Sequence, residues 1–157
     1  MDGQKPIDMK ALSSNVAEIK ISYIPTGRPG TQITCSNDAY LELKNWFSAD
    51  TLALQEQFVV LYLNRANRVL AAYEVSRGGL TGTVADPRLI LSTALKLASS
   101  GILVAHNHPS GSLKPSQADL QLTEKIKDGG KLLDIQLVDH LILTSDEYYS
   151  FADEGKI

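Results

Sequence analysis

Hydrophobic and polar positions follow a clear period along most of the chain, and the period changes from segment to segment. Residues 17–25, "AEIKISYIP", alternate and are rich in β-branched side chains, which predicts a strand. The turn-forming stretch "TGRPGTQIT" follows. Over 36–48, "SNDAYLELKNWFS", Tyr40, Leu43, Trp46 and Phe47 share one face of a helix that Ser36 or Asn37 can cap. Two apolar, β-rich runs, "FVVLYLN" (58–64) and "RVLAAYEVS" (68–76), are separated only by "RAN" and read as a hairpin.

The glycine-rich "RGGLTGT" comes next; it lacks the spacing and the lysine of a phosphate-binding loop. "DPRLILSTALKLASS" (86–100) carries the strongest helical pattern. Asp86 stands as cap, Pro87 occupies the first turn, and Leu91, Ala94, Leu95 and Ala98 line one face. A short buried strand, "ILVAH", leads into a polar loop. A second helix over 116–130 is closed by Gly129 and Gly130. "LDIQLVDHLILT" (133–144) supplies one or two further strands. Residues 1–16 are polar and patternless and read as a loose arm, with 17–157 as a single unit. There is no internal repeat or linker, so this order of elements predicts one mixed α/β layered domain.

Composition narrows the choice of function. The chain has 157 residues, 43% of them hydrophobic and 21% charged, which suits a folded domain with a substantial core. A net charge of -3 gives no electrostatic footprint for nucleic acid. The single cysteine, Cys35, excludes an internal disulfide and a multi-cysteine zinc site, and reads as a small, half-buried side chain in a reducing compartment. No signal-peptide core opens the sequence, and the longest apolar stretch is too short to span a bilayer; a cytoplasmic protein is expected.

The chemistry is concentrated in "LVAHNHPSGSLKPSQAD", residues 103–119. On a strand, residues two apart project to the same side, so His106 and His108 can aim both imidazoles at one point. Pro109, Gly111 and Pro115 turn the chain back and bring Asp119 to the first turn of the next helix. Two histidines, one carboxylate and an open fourth position describe a catalytic zinc site. The plainer alternative is a solvated histidine pair beside a helix cap, since Ser116 and Asp119 have the spacing of a capping-box variant. Ser116 can serve both purposes, capping with a lone pair and facing the site with its proton.

The segment "HNHPSGSLKPSQAD" matches His-x-His-Pro, six residues, Ser, two residues, Asp without a gap. It resembles the signature of the JAMM (JAB1/MPN) metalloprotease superfamily. With "DPRLILSTAL" before it and "LVDHLIL" after it, the chain resembles the RadC-like branch over residues 54–157. The resemblance implies a three-layer α/β/α, cytidine-deaminase-like fold with a mixed central sheet. It implies Zn2+ held by His106, His108 and Asp119, with Ser116 helping to hold an oxyanion. It also implies an acidic residue acting on the attacking water, and "LQEQFVVLYL" places Glu56 at that point. Glu74, in "AAYEVS", is the competing carboxylate, and spacing alone does not choose between them. The reaction implied is hydrolysis of a peptide or isopeptide bond in a peptide or protein substrate.

One departure bears on partners. RadC-like chains usually carry a helix-hairpin-helix segment ahead of the catalytic domain, and residues 1–53 read as a strand and one helix instead. That puts the family's DNA-repair association in question here. The alternative to an enzyme is a DNA- or protein-associated accessory module with a structural zinc site, which needs no base beside an open position. A nucleoside deaminase needs more cysteines than one. A metallo-β-lactamase-like site needs an aspartate where Ser110 stands. His140, alternating with apolar residues in "LVDHLIL", reads as a strand histidine satisfied by a neighbour or as a partner of the site, and is not assigned as a ligand.

Overall fold

Both β1 (Gln57–Leu63) and β3 (Gly101–Asn107) are buried along all seven of their residues, which is why the sequence shows continuous apolar runs there. The computed structural model describes residues 22–79 and 84–157. The expected arm, residues 17–21 of the expected first strand and residues 80–83 of the glycine-rich loop lie outside the described residues. The remainder of that strand prediction, 22–25, takes no strand pairing.

The elements are α1 (Ser36–Lys44), β1, β2 (Val69–Arg77), α2 (Pro87–Lys96), β3, α3 (Gln117–Leu132), β4 (Gln136–Leu143) and β5 (Tyr148–Ser150). They build a mixed five-stranded sheet in the order β2-β1-β3-β4-β5. β1 runs antiparallel to β2 and β3, β3 parallel to β4, and β4 antiparallel to β5. The hairpin and the parallel step through α3 agree with the order read from the sequence.

Strand alternation sorts the core into two layers. Val59, Leu61, Leu63, Leu103 and Ala105 pack with Ala39, Tyr40 and Leu43 of α1. Phe58, Val60, Tyr62, Ile102 and Val104 pack with Ile90 and Ala94 of α2 and Ile126 of α3. Helices thus cover both faces, giving a three-layer α/β/α domain. The one buried phenol on the second face, Tyr62, donates to the Ile90 carbonyl at 3.2 Å. Burial pushes that phenol up to about 12, so it remains a neutral donor.

Several local expectations change in the packed chain. α1 stops at Lys44, and its cap position is Cys35, which makes no side-chain cap bond; Asp38 instead accepts from Thr34 N at 2.9 Å and Thr34 Oγ1 at 2.6 Å. Cys35 is exposed rather than half-buried because it stands at that helix entrance. Trp46 and Leu95, both placed on apolar faces by periodicity, are exposed, and α2 buries Ile90 beside the expected Ala94. β5, hidden in "SDEYYSFADEGKI", is held by buried Asp139. That carboxylate accepts from Ser150 Oγ at 2.6 Å, Ala152 N at 2.9 Å and His140 N at 2.7 Å.

Gly129 and Gly130 do not close α3, which continues to Leu132. Gly130 is small for a different reason: a Cβ there would meet the Ile135 carbonyl oxygen at 2.4 Å, where the chain turns into β4. At Gly129 the only near atom is Leu91 Cδ1, the end of a flexible side chain. Gly130→Ala is therefore expected to destabilise the fold by about 1–3 kcal/mol. Gly129→Ala should cost clearly less, and urea unfolding midpoints of the two variants compare them directly.

Candidate metal centre

The C-terminal end of β3 builds the centre. His106 is paired with Phe58 on one side and Ile142 on the other, and His108 N continues the ladder by donating to Leu143 O at 3.0 Å. Both imidazoles project from the same side, and their Nε2 atoms lie 3.0 Å apart. The chain then turns at Gly111, whose φ of 78° is in the left-handed region, and Ser116 caps α3. Ser116 and Asp119 form a reciprocal capping box, with Asp119 N donating to Ser116 Oγ at 3.1 Å and Ser116 N to Asp119 Oδ2 at 2.7 Å. The capping reading and the convergence of Asp119 on the histidines thus hold together. Asp119 Oδ1 lies 3.2 Å from His106 Nε2, and Oδ2 lies 3.6 Å from His108 Nε2.

Hydrogen bonding on the far side of each ring decides what the Nε2 atoms present. His108 Nδ1 lies 2.6 Å from the Ser112 carbonyl oxygen, which can only accept, so the His108 proton is on Nδ1. That leaves a lone pair on His108 Nε2 in the neutral ring. His106 Nδ1 faces His140 Nε2 at 2.8 Å. Glu56 approaches from the start of β1, with Oε1 3.9 Å from His108 Nε2. Donor atoms of Glu56, His106 and His108 all lie within 4.8 Å of one another. Two imidazole nitrogens and two carboxylates therefore converge, a set that fits a cation.

Spacing distinguishes the two carboxylates. Ligand atoms around a tetrahedral zinc stand about 3.3 Å apart, given bonds of about 2.0–2.2 Å. Asp119, at 3.2 and 3.6 Å from the two nitrogens, matches that spacing, and Glu56 at 3.9 Å stands further out. Electrostatics agree with a cation-seeking cluster. Burial pushes the Asp119 carboxyl up, but its contacts with His106 and His108 outweigh that and hold it far below the usual range. Asp119 in turn raises His108. Burial keeps His140 well below the ordinary histidine value.

Glu74 is occupied elsewhere. Arg77 grips it with two bonds, Nε to Oε1 at 2.9 Å and Nη2 to Oε2 at 2.8 Å, and Gln57 Nε2 donates at 2.7 Å. The Arg77 contact holds its carboxyl below the usual range. The segment carrying Glu56 is tied down by Asn107, between the two histidines. Asn107 Nδ2 donates to Leu52 O at 2.7 Å and Gln55 O at 2.8 Å, while its Oδ1 accepts from Gln57 N at 2.7 Å. Sequence reasoning passed over Asn107, although the same strand alternation that pairs the histidines sends it to the opposite side. It also passed over Thr123, one helical turn beyond Asp119. A small cavity of about 110 Å³ opens beside His108, lined by Ala49, Leu52, Ala53, Pro109, Thr144 and Ser145.

The RadC-like JAB domain model matches residues 33–156. The chain belongs to the RadC-like JAB domain family. It is 44% identical over 124 residues to a UPF0758 protein of Flavobacterium johnsoniae, covering 79% of this chain and 53% of that protein. It is 46% identical over 102 residues to a UPF0758 protein of Porphyromonas gingivalis, covering 64% and 45% of the two chains. A UPF0758 protein of Methanosarcina mazei is 42% identical over 101 residues, covering 64% and 44%. The chain thus spans about half the length of the relatives it matches. As a member of this family, it belongs to the JAB/MPN superfamily and carries a metal-competent residue group. Among the described residues no helix is long and apolar enough to cross a membrane.

Asn107→Leu would leave two carbonyls and one amide without their buried partner. We expect a loss of about 2–4 kcal/mol in stability by urea unfolding. Native-state hydrogen exchange should show faster opening concentrated over residues 52–57, the segment Asn107 holds.

Proposed function

We propose that this chain is a zinc-dependent hydrolase of the JAMM type that cleaves peptide or isopeptide bonds. The observation that carries the reading is the pair of imidazole Nε2 atoms 3.0 Å apart and facing two carboxylates. His106, His108 and Asp119 would hold Zn2+, consistent with their spacing. When bound, such a cation supplies Lewis acidity toward a carbonyl oxygen and toward water.

The chain's own residues then divide the work. Glu56 takes a proton from the attacking water and passes it to the leaving amine, a role suited to a carboxylate beyond ligand distance. Asn107 keeps the Glu56 segment against the end of β3. Ser116, its lone pair engaged by Asp119 N, offers its own O–H to the negative charge that develops on the carbonyl oxygen. The apolar part of the cavity beside His108 accepts a substrate side chain. Glu74 is left out of this scheme because Arg77 and Gln57 already saturate it.

The purified protein is expected to bind about one zinc per chain by elemental analysis, and His106→Ala with His108→Ala to lose it. Glu56→Gln should retain the metal and lose hydrolysis of a peptide or isopeptide library by about 100-fold or more. Glu74→Gln should keep turnover near the wild-type rate. Loss of turnover in Glu74→Gln alone would move the base to Glu74. Zinc bound by a wild-type protein with no turnover on any member of the library would favour the accessory-module reading with an architectural metal.

A further inference from the structure

Behind the convergent nitrogens, a line of hydrogen bonds runs from one face of the centre back to the helix that carries Asp119. Thr123 Oγ1 lies 2.6 Å from the Asp119 carbonyl oxygen and 2.7 Å from His140 Nδ1. A carbonyl oxygen has no proton, so the Thr123 hydroxyl must donate to it. The same hydroxyl oxygen then accepts from His140 Nδ1–H. His140 is completely buried, stacked on Phe151 at 4.5 Å and edge-on to Phe58 at 5.8 Å. A neutral ring with its proton on Nδ1 offers a lone pair at Nε2. His106 Nδ1, 2.8 Å away, must supply the proton for that contact. The alternative tautomer of His106 would set two lone pairs against each other at that distance. Read from the Thr123 end, each link has one direction, and the line leaves on His106 Nε2 a lone pair that faces His108 Nε2 at 3.0 Å and Asp119 Oδ1 at 3.2 Å, an arrangement that calls for a cation between them.

We propose that His140 is a positioning residue that, anchored by Thr123, keeps the His106 proton on Nδ1 and so presents His106 Nε2 to a metal ion. The proposal rests on the metal-centre reading. A hydrogen bond to the far nitrogen of a ligand histidine fixes its ring orientation and tautomer, and removing such a partner typically lowers metal affinity by about 10–100-fold. His140 has no contact with the metal position itself and acts through His106. Its partner Thr123 is one turn from Asp119 on α3, so the line joins the two elements that must converge.

The test combines two measurements on the full chain. Side-chain 15N–1H NMR of the metal-free wild type should find His106 protonated at Nδ1 and bare at Nε2. Chelator competition then gives zinc affinity for wild type, His140→Leu, His140→Gln and Thr123→Val. His140→Leu should bind zinc about 10–100-fold more weakly. His140→Gln, whose amide retains an acceptor and a donor, should recover most of that loss. In Thr123→Val the His140 Nδ1–H loses its acceptor, so protons should shift along the line and a His106 Nε2–H signal should appear. A role in packing alone would leave that tautomer unmoved. His106 carrying its proton on Nε2 in the wild type, or unchanged zinc affinity in a folded His140→Leu, overturns the proposal. A wild type that binds no zinc overturns the metal reading instead, and the NMR tautomer still decides the direction of the line.

Discussion

At the end of β3, two imidazole nitrogens that would both turn lone pairs toward a shared cation are held 3.0 Å apart. His106 and His108 reach this position because a strand returns to the same side every second residue, and their far nitrogens are pinned by His140 and by the Ser112 carbonyl. The surrounding elements serve that placement. β1 and β4 flank β3 along its length, the loop through Gly111 reverses the chain, and the cap at Ser116 sets Asp119 across from both rings. Such a cluster costs stability unless something positive joins it, which is why its arrangement speaks for ligand binding more than for folding.

The tripeptide at 106–108 divides its work between the two faces of the sheet. The histidines meet α3 on one side, while Asn107 crosses to the other and clasps residues 52–57. One short stretch therefore holds both the nitrogen pair and the segment bearing the nearby carboxylate. Moving Asn107 would disturb Glu56 without touching a histidine. Glu74 shows the contrasting case: on the neighbouring strand β2 and within the same sheet, it is absorbed by Arg77 and Gln57 and supports the structure.

Family membership and geometry supply different parts of this picture. The match to the RadC-like JAB domain over residues 33–156 accounts for the three-layer architecture and for the presence of the histidine loop. The relatives carry names without an activity and are about twice as long as the region they share with this chain. The chemical reading comes instead from which atoms face one another and which protons lie between them.

The sequence by itself determined where the histidine loop stands and the order of the elements from α1 to β4. His-x-His on an apolar strand and a serine and aspartate at a helix start are local patterns, and local geometry transmits them unchanged. Continuous apolar runs marked β1 and β3 because both faces of those strands are covered. Only the tertiary structure decided the rest. Spacing alone did not choose between Glu56 and Glu74, though the family resemblance favoured Glu56; in the fold Arg77 occupies Glu74, and Asn107 holds the segment that brings Glu56 toward His108. His140 became a partner of His106 because parallel pairing of β3 and β4 aligns Ala105 with Leu141 and His106 with Ile142, setting the two rings 4.9 Å apart. Gly130 read as a helix stop, yet its small size answers to the Ile135 carbonyl, five residues further along the chain. Periodicity shows which side a residue faces; what it meets there depends on the neighbours that the fold brings together.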